Sequence, residues 1–487
     1  MCATIVYHLV KSYKQRVLVC APSNTAVDNI VLRLSNLGLR IVRLVSRSRE
    51  NVSSLVEEFC LHNMAVYVGG TDSKLYKLNL QLQKTGQLTA DDGKQYESLL
   101  NIAEKALLRN AEVVCCTCVA GLDPRLEDTT FESVVIDETT QAREPECLIP
   151  VVRGCQRLVL VGDHQQLGPV ILDQDAKRAG LDISLFERLL SLGITPYCLN
   201  VQYRMHPALS EFPSNMFYNG TLQNGIHSFE RTRLISFPWP RSDMPMMFWC
   251  VQGVEDPGPS GRSLLNRMEA SCVLNVVERF VECNIGGERI GVITPYDSQR
   301  TLLRQVLSRH PVKPNEMKKV EIASVDEFQG RENDYIIFSC VRSNDSGVLG
   351  FLNDLRRLNV ALTRAKYGLV IVGNPNTLKY NPTWLNLMNH FQLHKCLVCG
   401  ATLDNLSLYT LYLGQTSQPK TYYKYNVAKK LLDNMNSSAV TDSSVLLGIA
   451  TKDNEDAKPS KPLESTFKGD DTILSQVKDF SLNDTGF

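Results

Sequence analysis

Two short apolar runs in this chain each end in a carboxylate: Val134-Val135-Ile136 leads into Asp137-Glu138, and Leu158-Val159-Leu160-Val161 leads into Gly162-Asp163. Runs this apolar suit strands buried on both faces of a parallel sheet, and in such sheets ligands bind at the carboxyl ends of the strands. Asp137, Glu138 and Asp163 are therefore expected on the rim of one crevice. An acid pair at a strand end suits phosphoryl transfer, with Asp137 holding Mg2+ against nucleotide phosphates and Glu138 orienting the attacking water. Acids after a strand also start ordinary helices, because carboxylates favour a first turn. The loop Gly162-Asp163-His164-Gln165-Gln166-Leu167-Gly168-Pro169 speaks against so plain a role, since a mere connection has no need of that string of polar groups and turn formers.

Three arginines downstream are candidates for the same nucleotide. Arg204 lies in the polar and aromatic stretch Gln202-Tyr203-Arg204-Met205-His206, Arg331 in Asp326-Glu327-Phe328-Gln329-Gly330-Arg331-Glu332, and Arg364 in Asn359-Val360-Ala361-Leu362-Thr363-Arg364. A phosphoryl group in flight is stabilised by positive charge delivered across a cleft, which a guanidinium does well. For Arg331 a surface ion pair is the more economical expectation. The small and apolar neighbours of Arg364 predict a partly buried position.

The elements that must hold these groups follow from periodicity. Ala3 to Val10 reads as an amphipathic helix, Val17 to Cys20 as a strand, and Ala21 to Thr25 as a turn into a helix beginning at about Ala26. Ser23, Asn24 or Thr25 would cap that helix, whose N-terminus is also suited to a nucleic-acid phosphate. Ile41 to Val45 is a further strand. The polar, Leu-punctuated stretch 47–109 predicts a helical insertion, because strands resume at Val113-Val114-Cys115-Cys116, with Thr117 opening another strand-end loop on the same rim. Five more strand candidates (Met247 to Val251, Ile290 to Thr294, Val320 to Ser324, Tyr335 to Val341, Gly368 to Gly373) alternate with helical stretches, which predicts a second, mostly parallel sheet. Beyond Asn374 the strand signals fade, and from Ser437 the polar composition predicts a disordered tail.

Composition sets outer bounds. A chain of 487 residues with 43% hydrophobic content has material for about three packed domains. Lys plus Arg, at 52, balance Asp plus Glu, at 52, so bulk charge announces no nucleic-acid partner, although a local basic channel would suffice for one. The fifteen cysteines are irregularly spaced and odd in number, which points to a reducing, cytoplasmic setting. Cys396-Leu397-Val398-Cys399 is a single CxxC without a second pair nearby, a weak signal for zinc or redox chemistry. No run approaches the ~18 apolar residues of a membrane span and no signal-peptide pattern opens the chain, so a soluble protein without a membrane partner is expected.

Taken together, these stretches resemble the superfamily 1 helicases, and most closely the RNA helicases of nonsense-mediated mRNA decay. The resemblance rests on Ala21-Pro-Ser-Asn-Thr-Ala-Val-Asp28, on Asp137-Glu138-Thr-Thr-Gln-Ala142 as the Walker B motif, on Gly162 to Pro169, on Gln202 to Ser210 with Phe217-Tyr218, and on Leu222-Gln-Asn-Gly225. Thr294-Pro-Tyr296, Ser324 to Glu332 and Leu358 to Ala365 complete the set, in order, over about Ala3 to Asn374. The resemblance implies an α/β fold of two RecA-like motor domains with ATP and Mg2+ between them and single-stranded RNA, or DNA in a related branch, across their top. It implies domains at 1–196, interrupted by 47–109, and at 197–393, with 394–487 as an extension largely disordered after about 437.

By the same carry-over, Asp137 binds Mg2+, Glu138 activates water, Gln166 senses the γ-phosphate, and Arg204 and Arg364 are arginine fingers. Tyr203, Gly330 and Glu332 fall on the nucleotide, with Glu332 at the ribose. Ser23, Asn24, Thr117, Thr294, Pro295 and Ser324 fall on motifs that touch the nucleic-acid backbone, and decay-factor proteins become expected partners. Backbone contacts carry no sequence preference.

One departure stands out: the sequence contains no Gly-x-x-x-x-Gly-Lys-Ser/Thr. In the resembled family that phosphate loop immediately precedes the helix found here at Ala3, so the reading is of a helicase truncated before or within the loop and inactive by itself. Loss of the strand leading into the loop should leave unpaired backbone on both sides of a gap in the first sheet. The competing reading is a non-catalytic nucleic-acid-binding scaffold. Retention of Asp137, Glu138, Gln166, Arg204 and Arg364 speaks against it, since a platform has no need of hydrolysis groups.

Overall fold

Five parallel strands carry the acid pair: β1 (Val17–Ala21), β2 (Ile41–Arg43), β3 (Val113–Thr117), β4 (Ser133–Ile136) and β5 (Arg157–Leu160), in the order β2-β3-β1-β4-β5. The structure is a computed structural model that describes residues 1–259 and 261–411. The expected tail after 437 lies outside the described residues. In β1, β3 and β4 successive side chains enter opposite cores. Val17, Val19 and Ala21 pack with Val6, Val27 and Val31 of the helices Cys2–Lys11 and Asn24–Ser35. Leu18 and Cys20 pack on the other face with Leu108, Leu126 and Phe131. Burial on both faces is why these runs are apolar without alternation.

β5 departs from that expectation. Arg157 and Leu158 are exposed and Val159 and Leu160 only half-buried, because β5 is the edge of the sheet. The described strands pair without a gap, so the unpaired backbone lies along one side of β5 and not on two sides of a break. Residues 191–200 are likewise all exposed.

The insertion is helical, as its pattern predicts, in Leu61–Val66, Lys74–Thr85 and Ala90–Asn110, although 47–60 holds only two single 3-10 turns. Charge ties it to the sheet. Glu104, only 1% exposed, receives Arg47 at 2.7 Å and Arg125 at 3.4 Å, and Arg125 also reaches Glu50, Asp123 and the Val45 carbonyl. A buried carboxylate is tolerable only with such partners. Arg43, also buried, joins β2 to the Asn24–Ser35 helix through Asp28 at 2.8 Å and Asn24 Oδ1 at 2.9 Å.

The second sheet contains β6 (Met246–Cys250), β7 (Ile290–Ile293), β8 (Glu321–Ala323), β9 (Asn333–Ser339), β10 (Ala365–Gly373), β11 (Leu397–Cys399) and β12 (Ser407–Leu408), ordered β8-β7-β9-β10-β6-β11-β12. All neighbours are parallel except β11 and β12. The five expected strands are present within a few residues. The last two correct both the fading of strand signals after Asn374 and the domain end at 393. A three-residue strand has no readable period, and β11 exists because Leu397 and Val398 are buried beside Phe248 and Trp249 of β6. Of the CxxC pair, Cys396 is buried just ahead of β11 and Cys399 is half-buried at its end, where its thiol lies near Ser407 Oγ. No described helix is long and apolar enough to cross a membrane.

At the carboxyl end of β9, Val341 holds φ +71°, costly for a β-branched residue. Glu269, fully buried on the helix Arg267–Glu282, fixes this turn by accepting from Val341 N at 2.8 Å and Ser339 Oγ at 2.7 Å, while its Oε1 has no partner. The next residue, Arg342, is thereby aimed at Glu255. Burial pushes the Glu269 carboxyl up to about 8. Between its usual range and that value the folded chain keeps a proton that the unfolded chain has released, so this group's contribution falls as pH rises toward 8. Glu269→Gln should therefore gain in melting temperature relative to the unaltered chain between pH 5 and pH 8.5; a pH-independent difference would show that Glu269 is ionised throughout.

Candidate active site

The parallel register places the strand-end groups as expected. Ile136 pairs with Cys20 and Leu160, so Asp137, Glu138 and Asp163 share the carboxyl rim of the first sheet. Asp137 N donates to Cys20 O at 2.8 Å, and the Asp137 carboxylate caps Glu138 N at 3.1 Å. The Cys2 thiol, beside Asp137, is pushed up to about 12 by burial and by that carboxylate, so it stands as a neutral neighbour. Glu138 adopts φ +51°, a left-handed conformation that non-glycine residues rarely hold and that turns its side chain across the strand end.

Glu138 is where the two sheets meet. Its Oε2 accepts from Gln141 Nε2 at 2.8 Å and from Gln329 Nε2, of the second half, at 3.3 Å. Burial and then the Asp137 charge raise its pKa, opposed by Gln141, Arg364 and Gln329. A carboxylate so raised is a stronger proton acceptor than a solvated one.

Gln166 forms a second bridge. Its Nε2 donates to Asp163 Oδ2 at 2.7 Å, and its Oε1 accepts from Arg364 Nη2 at 3.3 Å. Arg364 is only 2% exposed, more deeply buried than its neighbours predict. Its other hydrogen bonds run to Val360 O, Thr363 Oγ1 and Arg331 O. Among the described residues, every acceptor on this guanidinium is neutral. Burial and then Arg204 lower its pKa to about 10, with Glu138 opposing. Two guanidiniums brought this close in a low-dielectric site favour an anion between them.

Arg204 is held by Glu332 and by Thr363 O, the latter at 3.1 Å. Burial works against the charge on Glu332, but Lys366 and Arg204 pull its carboxyl down to about 2. Tyr203 is exposed, its ring lying against Gly225, where any added Cβ would fall 2.2 Å from ring carbon Cε1. Gly330 is exposed at φ +75°, a backbone state that glycine supplies without strain. Arg331 pairs with Glu321 at the surface, as the economical expectation has it.

The backbone-contact candidates fall into two rim groups. Ser23, Asn24 and Thr117 follow β1 and β3, where Ala21 pairs with Thr117. Thr294, Pro295 and Ser324 follow β7 and β8, where Ile293 pairs with Ala323. Ser23 caps its helix through Ala26 N at 3.2 Å, Asn24 is engaged by Arg43, and Thr117 accepts from Ala120 N. Ser324 forms a capping box with Glu327. Thr294 is fully buried, its hydroxyl without a partner, so it does not face solvent in this conformation.

Sequence reasoning left four participants without a role. Asp163 was legible as a strand-end acid. Tyr218 donates to Asp163 Oδ2 at 2.6 Å, and Asn359 donates to Tyr218 Oη at 2.9 Å and Gln165 O at 3.0 Å. Gln329 completes the set at Glu138. Tyr218, Asn359 and Gln329 gave no signal beyond lying in the quoted stretches, because each acts through a partner far away in sequence, 55 residues for Tyr218 with Asp163 and at least 141 for the others. Beside these groups, a groove of about 1230 Å3 runs between Leu167–Ile171 and 350–357, with Lys177, Arg262, Arg342, Arg356 and Arg357 on its walls. Glu187, Glu255, Asp326 and Asp354 pair with three of these arginines.

Comparison with known proteins places these features in context. Two family models, both described as AAA domain, match residues 2–68 with 66–174, and residues 181–376. The chain is similar to the ATP-dependent helicase NAM7 of Saccharomyces cerevisiae, at 53% identity over 86% of this chain and 43% of that protein. It is similar to the regulator of nonsense transcripts 1 homolog of Neurospora crassa, at 52% over 85% of this chain and 38% of that protein. The homolog of Drosophila melanogaster matches at 48% over 91% of this chain and 36% of its own length. The chain thus spans about two fifths of the curated relatives it matches.

The bridge through Tyr218 is directly testable. Tyr218→Phe removes a donor to a carboxylate, a loss of about 1.5–3 kcal/mol for a bond to a charged group. Amide exchange at Gln165 and Gln166 should accelerate while the Cys2–Lys11 helix is unaffected; unchanged exchange at both glutamines would show that the bond does not hold the loop.

Proposed function

Because the chain belongs to the family of the regulators of nonsense transcripts, we propose that it forms the motor of an ATP-dependent RNA helicase acting in nonsense-mediated mRNA decay in the cytoplasm. The observation that carries this reading is Arg364, a buried guanidinium from the second sheet that meets Gln166 of the first through neutral partners only. Such a group suits an anion that enters between the sheets and loses its hydration there.

The residues present fit the part of an Mg2+-ATP site that lies outside the phosphate loop. Asp137 offers a hard oxygen ligand at a strand end, while Arg204 and Arg364 offer the donors that phosphate oxygens require. When bound, Mg2+-ATP supplies the phosphoryl bond to be cleaved and the negative charge that the arginines neutralise. Glu138, with its raised pKa, orients and deprotonates water. Gln166, held by Asp163 and Arg364, relays the state of the site to the loop 162–169. Arg204 must leave Glu332 to reach a phosphate, and Lys366 remains to hold the carboxylate, which lies where a ribose contact is expected. Tyr203 and Gly330 flank that position. Closure of the two sheets on nucleotide and reopening after hydrolysis would drive translocation.

Single-stranded RNA is assigned to the rim formed by Ser23, Asn24, Thr117, Pro295 and Ser324, with Thr294 buried beneath it and the adjoining basic groove continuing the path. A groove whose arginines are mostly ion-paired suits passage of a backbone rather than tight retention. The open backbone edge of β5 suits pairing with a further strand, and decay-factor proteins are proposed as partners of the whole protein.

The test joins residues 1–487 to a Gly-x-x-x-x-Gly-Lys-Ser/Thr phosphate-loop segment placed ahead of Cys2. RNA-stimulated ATP hydrolysis is expected in the joined protein, and Glu138→Gln should lower turnover by about 100-fold or more while ATP binding persists. Unimpaired turnover in Glu138→Gln would remove the proposed role of Glu138, and activity on DNA alone would replace the proposed substrate.

A further inference from the structure

Away from the cleft, the helix Pro207–Phe217 lies beside the end of the helix Pro382–Leu393, with the Phe212 and His390 rings 5.6 Å apart. His390 and His394 stand one helical turn apart, their rings 4.5 Å apart, and the His394 amide continues the helix onto His390 O. Glu211 approaches from the other helix, its Oε2 3.4 Å from His394 Nε2. One ligand atom from each of the three residues lies within 4.8 Å of the other two.

We propose that Glu211, His390 and His394 form a binding site for a divalent metal ion of the zinc class. The bland alternative is an ion pair between His394 and Glu211 beside a packed core histidine. His390 resists that description: its Nε2 is buried without any hydrogen-bond partner, against the apolar walls of Phe212 and Phe391. A buried ring nitrogen left unpaired is costly, and His390 offers one ring nitrogen to the cluster. The position of the pair favours a cation, because the last carbonyls of the Pro382–Leu393 helix carry the negative end of its dipole.

Ligand chemistry defines the ion. Two imidazoles with one carboxylate suit Zn2+ and its neighbours Co2+, Ni2+ and Cu2+, whereas Mg2+ and Ca2+ prefer oxygen sets. Bond lengths of about 2.0–2.2 Å would draw the three side chains slightly inward from their present spacing. Glu211 and His394 are partly exposed, so an ion enters from solvent and keeps water on its remaining position. Bound metal would pin the Pro207–Phe217 helix, which follows directly on Arg204, to the far end of the second sheet.

The test uses the 487-residue chain stripped with chelator and titrated with Co2+, read by visible absorption, then with Zn2+, read by calorimetry and thermal melting. One equivalent should bind with a visible Co2+ band and a raised melting temperature. Loss of a supporting outer-shell group typically weakens a site about 10–100-fold, so His394→Gln and Glu211→Gln, which remove ligands, should weaken binding by at least roughly tenfold. Both replace partly exposed side chains, which keeps the test independent of whether His390→Phe folds. Failure of the unaltered chain to bind would overturn the proposal. So would binding that survives both substitutions, the result expected if cysteine thiolates alone took the ion.

Discussion

A guanidinium removed from water has to be matched, and Arg364 is matched only by neutral oxygens. Its charge remains because the site around it is polar on the first-sheet side: Gln166 accepts directly, and Glu138 draws it electrostatically. The positions of Glu138, Gln166 and Arg364 are therefore interdependent. Whatever displaces the first sheet's rim relative to residues 359–364 changes the environment of a buried charge, which makes closure of the cleft steep in energy.

The polar groups around that charge are linked in a chain, with Asn359 Oδ1 and Gln329 Oε1 left without partners. Asp163 receives Gln166 and Tyr218, Tyr218 receives Asn359, and Asn359 returns to the Gln165 carbonyl. Gln329 closes a shorter path to Glu138. A low local dielectric strengthens each satisfied link and penalises each broken one. The strained φ of Glu138 belongs to this arrangement: it points the carboxylate toward the second half instead of along its own strand.

The first sheet shows how far apolar patterning could be read. Val134 to Ile136 and Leu158 to Val161 were both legible as strands ending in acids, because chemistry and hydrophobicity change abruptly at one residue. Their burial was not equally legible. β4 is covered on both faces, but β5 is an edge, and an apolar run looks the same in either place. The insertion 47–109 announced its helices through long Leu-punctuated periods, whereas β11 and β12 were too short to show any period at all.

The sequence by itself determined the types of the longer elements, the strand-end placement of Asp137, Glu138 and Asp163, and the family resemblance, because these depend on residues close together in the chain. Only the tertiary structure decided which side chains face each other across the cleft. Gln329 meets Glu138, Arg364 meets Gln166, and Arg204 turns to Glu332, through pairings that span more than a hundred residues. Local composition cannot encode such encounters, since they follow from strand order, from packing of two separate cores, and from the burial that gives each charge its partner.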